Sequence, residues 1–242
     1  MRTKLVAGLT GWAAVWATLG GVEAANFPGT PITPTIYEVT VKKVELCTGS
    51  DGVGSCAGAL VLGSGNKSFD IAAVGAGAAV GSYANLANLP VGTTFTHVRV
   101  TVDAQIVVRA SGTDTNNGAP GPCSTGAGGG GSASAATTAT FPAAAPVNAT
   151  VFVPHVGNYS IGGGVTALAE SDFQTTGARG YIKRPNDADV LITYSLTAPY
   201  TPALNQIPSV TVKFDVTGAV GVLFTGACEM FPEPPSVNIT IQ

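Results

Sequence analysis

Residues 93–110 carry the pattern that most limits the fold. Val98, Val100, Val102, Ala104, Ile106 and Val108 fall on one parity, and His97, Arg99, Thr101, Asp103 and Gln105 on the other. Successive side chains point to opposite faces in a strand, so this period of two predicts a strand with one buried face. A helix would scatter the same valines around its circumference. The length predicts a strand that bends or passes between sheets.

Other segments repeat the pattern on a smaller scale. Tyr37, Val39 and Val41 share one face, and Val44 and Leu46 resume the alternation one residue out of phase. A β-bulge at Lys42-Lys43 accounts for the slip. Further strands are expected over residues 58–62, 67–71, 147–154, 190–198, 209–217, 220–225 and 236–241. Val210, Val212, Phe214 and Val216 face inward in one of them, and Val237, Ile239 and Ile241 alternate with Asn238 and Thr240 in the last. Helix signals reduce to one short turn near residues 81–86, weakened by glycine. Short strands joined by Gly, Pro and Asn turns predict an all-β fold: an antiparallel β-sandwich of Greek-key, immunoglobulin-like or prealbumin-like type.

Residues 111–146 are rich in Gly, Ser, Ala and Pro and nearly lack large side chains. They read as a long surface loop inserted into one domain over residues 36–242, in preference to a linker between two small domains.

The start of the chain reads as a secretory signal over residues 1–24: Arg2 and Lys4, then an apolar run, then Val22-Glu23-Ala24 as the cleavage signature. Removing it takes out Arg2, Lys4 and Glu23 and leaves 218 residues with 9 basic and 13 acidic side chains, a net charge of −4. No cysteine follows the apolar run to take a lipid, and no later segment is expected to span a membrane. Residues 25–35 follow with Pro28, Pro31 and Pro34, an extended arm rather than a helix. Four cysteines in an exported chain predict two disulfides. Cys47 and Cys56 flank a turn-rich loop and are paired on that ground, which leaves Cys123 with Cys228. The spacings fit no zinc pattern.

Only 10% of the residues are charged, against about 25% in an ordinary soluble domain. There is no basic surplus to neutralise phosphates, which argues against nucleic acid as a partner. His97 and His155 are the only histidines, no nucleophile elbow occurs, and Gly162-Gly163-Gly164 lacks the Lys-Ser or Lys-Thr of a phosphate loop. The carboxylate pairs Glu170/Asp172 and Asp187/Asp189 sit in polar, turn-like segments and read as solvated acids rather than glycosidase pairs. No cofactor is expected; calcium is the best metal hypothesis, at Asp187 and Asp189 or at Asp51. Glycosylation triplets begin at Asn66, Asn148, Asn158 and Asn238. Both tryptophans, Trp12 and Trp16, lie in the leader, so the mature chain offers no indole platform for a sugar.

The run Tyr37-Glu38-Val39-Thr40-Val41-Lys42-Lys43-Val44-Glu45-Leu46, then Lys67-Ser68-Phe69-Asp70-Ile71, Leu89-Pro90-Val91-Gly92-Thr93 and Val98-Arg99-Val100-Thr101-Val102-Asp103, resembles an uncharacterised secreted β-sandwich domain of bacterial envelope lipoproteins. The resemblance covers residues 36–108. The chain departs from that pattern in lacking the lipoprotein cysteine and in placing Phe95 where Tyr is usual. It implies a sandwich fold and an envelope location, and no catalytic residue.

These features together lead to an expectation of a secreted, non-catalytic structural or adhesive surface protein that associates with itself or with other envelope proteins. Strand addition would use the arm and first strand (Ile36, Val39, Val41) and the last strand (Val237, Ile239, Ile241). The alternative is an extracellular module that binds a glycan or small ligand through loops at one end of the sandwich.

Overall fold

The computed structural model describes residues 29–50, 55–73, 89–126, 137–153, 159–161, 164–166, 181–183, 188–205 and 208–241. The signal, residues 25–28, the helical turn, Asp51, His155, Asn158, Glu170, Asp172 and Asp187 lie outside them.

Every element of the described residues is a strand. The first half holds β1 (Thr30–Ile32), β2 (Ile36–Cys47), β3 (Leu60–Asp70), β4 (Phe95–Arg109), β5 (Ser111–Gly112), β6 (Cys123–Ser124), β7 (Thr137–Ala139) and β8 (Ala149–Phe152). The second half holds β9 (Tyr159–Ile161), β10 (Gly164–Thr166), β11 (Tyr181–Lys183) and β12 (Asp189–Tyr200). It closes with β13 (Val210–Asp215), β14 (Val220–Phe224), β15 (Cys228–Pro232) and β16 (Ser236–Ile241). Among the described residues there is no helix long and apolar enough to cross a membrane.

The main layer is a six-stranded antiparallel sheet in the order β11-β12-β4-β2-β3, with β8 paired to the far part of β4. Opposite it lie the four-stranded sheet β1-β14-β15-β7 and the β13–β16 pair. Two cores result. In the first, Tyr37, Ile106, Val108 and Val151 of the main sheet pack on Val220, Val222 and Met230. In the second, Leu46, Phe95, Val98, Tyr194 and Leu196 pack on Val237, Ile239 and Ile241. Val102, Ala104 and Val190 form a third, smaller cluster along the same sheet. The fold is the expected all-β sandwich, and the 15-residue β4 serves both main cores, as its length required.

The bulge falls where the phase slip placed it. Against both neighbours the register of β2 jumps between Val41 and Lys43, so Tyr37 and Leu46 are both buried. The two segments expected as separate strands at 58–62 and 67–71 are one strand, β3, carried through Gly63-Ser64-Gly65.

The insertion differs from a plain surface loop. Cys123, Ser124 and Thr125 are fully buried. The Cys123–Cys228 disulfide holds them against β15, and backbone bonds run from Ser124 to Thr140 and from Thr125 to Ala110. A segment too poor in apolar area to order itself is drawn in by a covalent tie and by the sheet it meets. The second disulfide, Cys47–Cys56, closes the loop after β2.

Candidate functional site

Two places concentrate polar chemistry. The first is the outer face of the main sheet. Register puts Glu45, Arg99 and Thr193 in one cross-strand row, and Lys43, Thr101 and Leu191 in the next. Arg99 Nε donates to Glu45 Oε2 at 2.9 Å, and Lys43 Nζ lies 3.1 Å from the other oxygen. Burial opposes the charge on Glu45, but the bonds from Arg99 and Lys43 outweigh it and hold the carboxyl below its ordinary range. Further along, Lys42 Nζ lies 2.9 Å from Asp103 and 2.8 Å from Asp189. Burial opposes its charge too, and the two carboxylates win, so its pKa is raised.

His97 is half-buried, and burial alone pushes its pKa down. The hydroxyls of Thr101 and Thr193 are buried on this face without a hydrogen-bond partner.

This face also locates the described calcium candidate. The cation that meets Asp189 is the Lys42 ammonium, paired at the same time to Asp103. Among the described residues no three His, Cys, Asp or Glu side chains converge as metal ligands would.

The second place is the corner where the arm docks. β1 pairs antiparallel with β14: Thr30 opposite Val222, Pro31 opposite Gly221 and Ile32 opposite Val220. Two glycines, Gly29 and Gly112, make room for the arm. Gly29 has φ 111°, and a Cβ there would strike the Val222 carbonyl. Gly221 has no room for a Cβ because the Phe231 ring lies over it. Ile32 packs on the first core, over Gly112.

Asp114 organises this corner. It is fully buried and opens the turn Asp114-Thr115-Asn116-Asn117-Gly118. Oδ1 accepts from the Thr30 hydroxyl at 2.9 Å and the Asn116 N–H at 3.0 Å; Oδ2 accepts from Asn117 Nδ2 at 2.7 Å and the Phe224 N–H at 2.9 Å. Thr30 in turn accepts from the Thr115 N–H at 2.8 Å, and the Asn116 amide reaches the Gly29 carbonyl. Burial opposes the charge on Asp114, but the donors from Asn117, Phe224, Thr30 and Asn116 outweigh it and lower the pKa. One carboxylate thus ties together the arm, the insertion and β14. The Cys123–Cys228 bond joins the insertion to β15, the strand beside β14.

Sequence reasoning passed over Asp114. The signal was present: Asp followed closely by Asn-Asn-Gly is turn chemistry in which the carboxylate bonds the backbone two residues on. The residues expected to drive assembly lie in paired strands of the body. Ile36, Val39 and Val41 lie in β2, which pairs with β4 from Ile36 onward and with β3 from Glu38 onward. Val237, Ile239 and Ile241 are buried in the second core, in a strand paired with β13. Asn66, Asn148 and Asn238 are exposed.

No family model, curated protein or solved structure matches this chain.

Proposed function

We propose that this chain is a secreted, non-catalytic structural or adhesive protein of the cell envelope, a fibre or matrix subunit that associates by β-strand addition. The observation that carries the reading is the docked arm. A three-residue strand ahead of the body completes a sheet edge made by residues near the other end of the chain. Strand addition uses the same elements: an extended segment, an open edge and pockets for alternate side chains. The scarcity of charge supports it, since copies of the processed chain, with net charge −4 over 218 residues, repel one another weakly. The two disulfides and the leader-like first 24 residues fit export. The test is the mass of the native secreted protein as concentration rises. High-mass species that vanish on deleting residues 25–35 support the reading, and a strictly monomeric protein at high concentration overturns it.

A second reading draws on the outer face of the main sheet, where the unpartnered Thr101 and Thr193 hydroxyls flank the Arg99–Glu45 pair. Unsatisfied buried hydroxyls are costly, and a polar ligand would relieve that cost where this face opens to admit it. A glycan array and a calcium titration test for such a binding module; silence in both removes it.

A further inference from the structure

We infer that the corner formed by β14 and the Asp114 turn is an acceptor for the arm of a second copy, so that residues 29–32 dock in trans with the contacts they make in cis. The inference rests on the strand-addition reading above and names its acceptor.

The arm and its seat are separable. The anchors of the arm at this corner lie far along the chain: Asp114 is 84 positions from Thr30, and Asn116 is 87 from Gly29. Its tie to the body is the linker Thr33-Pro34-Thr35, whose last residue is pinned by the Arg109 carbonyl at 2.7 Å. Any copy of the protein presents the same seat, so exchange conserves each contact and changes only the linker path.

The seat also stands without its occupant. β14 is paired along its length to β15, and β15 to β7. Asn116, Asn117 and Phe224 hold Asp114 from within the body, while Thr30 comes with the arm. The disulfide from Cys123 to Cys228 fixes the strand after the Asp114 turn to β15. Departure of the arm therefore leaves an ordered edge over Val220 and Val222, both with no exposed surface while the arm is docked. An ordered, apolar edge with a carboxylate acceptor beside it takes back an extended segment with a hydroxyl at the position of Thr30 and an aliphatic side chain at that of Ile32. Those are the arm's own residues.

The linker sets the conditions. A short connection gives the cis arm an effective concentration of about millimolar. Exchange between copies then wins where local protein concentration reaches that level, as in a packed surface layer, and loses in dilute solution.

The experiment uses the full secreted chain and two cysteine designs, because Ile32 and Val220 face each other across the pair. In the double variant I32C/V220C, oxidation in dilute solution, with the disulfide-closed monomer then isolated, locks the arm in cis. In a mixture of the single variants I32C and V220C, a disulfide joining the two introduced thiols can form only between copies. The expected results are loss of high-mass species in the locked variant, and a disulfide-linked peptide pair joining positions 32 and 220 in digests of the mixture. High-mass species that persist at wild-type level with the arm locked overturn the inference, as does their presence in the mixture without that linked pair. Should V220C fail to fold, T30C with V222C, another directly opposed pair, reports on the same docking with the Thr30 hydroxyl lost: a linked pair joining positions 30 and 222 supports the inference, and high-mass species without it overturn it. If the wild type itself is monomeric at every concentration, strand addition as a whole falls, a result read from a different sample.

Discussion

Asp114 and Glu45 are both buried carboxylates with lowered pKa, yet they are held by opposite means. Asp114 is met by neutral donors: a hydroxyl, a side-chain amide and backbone N–H groups. Glu45 is met by two cations, Arg99 and Lys43, whose side chains keep 18% and 38% of their surface exposed. The partners differ in reach as well. Glu45 bonds to residues on its own strand and on the neighbour already paired with it, so the pair adds little that the ladder has not fixed. Asp114 bonds across 84 and 110 positions of chain and joins two segments that share no strand with it. The arm corner therefore depends on a few contacts of high consequence, and the charged face on many of low consequence.

The largest expected effect is at the tie behind Asp114. Replacing Cys123 and Cys228 by serine frees a loop with a sequence separation of 105. In the chain-entropy model this costs about 4–5 kcal/mol, read as a fall in the denaturant midpoint. Next comes Asp114→Ala, which leaves buried donors without an acceptor and is expected to cost about 3 kcal/mol. Proteolysis of the arm at residues 29–32 should rise with it, and an unchanged rate would break the link between Asp114 and the arm. Glu45→Gln keeps the shape and removes the charge, for a loss of about 1–2 kcal/mol given its partly exposed partners. Lys42→Met is the smallest, about 0.5 kcal/mol, and should vanish in about 1 M salt. Asp114→Ala should cost the same in low and high salt, because its partners carry no charge.

Acid and alkali separate the two regions further. Asp114 and Glu45 have folded pKa values below their ordinary 3.8 and 4.5. Their stabilisation is present above those values and lost as pH falls through the lower folded ones. Lys42 is raised above 10.5, so its contribution is present below that pH and lost as pH rises through the folded value. Lys42→Met should thus flatten the alkaline limb of the stability curve, a limb that Asp114→Asn leaves alone, while Asp114→Asn flattens the acid limb. Equal slopes in both variants would show that the comparison is wrong.

Much of the scaffold was legible because it is local. Alternation in β4 exposed its buried face, and a phase slip exposed the bulge at Lys42-Lys43. The turn-rich loop between Cys47 and Cys56 exposed one disulfide and, by elimination, the other. What was not legible depends on contacts between distant segments. Nothing in the small-residue run around Cys123 shows that Ser124 and Thr125 are buried; their burial comes from Cys228 and Thr140. The polar parity of β4 read as a solvated face, yet Thr101 is buried there beside half-buried Arg99 and Asp103. Periodicity tells which side chains share a face and not what lies above it.

Pro31 sits in the middle of β1, at the rim of the four-stranded sheet. A proline has no N–H to give, so the outer margin of the docked arm lacks the donor a further strand would need there. The arm that completes the sheet also terminates it. Under the proposed exchange, growth through this corner would be of one valence: each seat would accept one arm and offer no template for another. Polymers built this way would lengthen as threads and would not widen at this edge, where lateral stacking toward cross-β aggregates would otherwise begin.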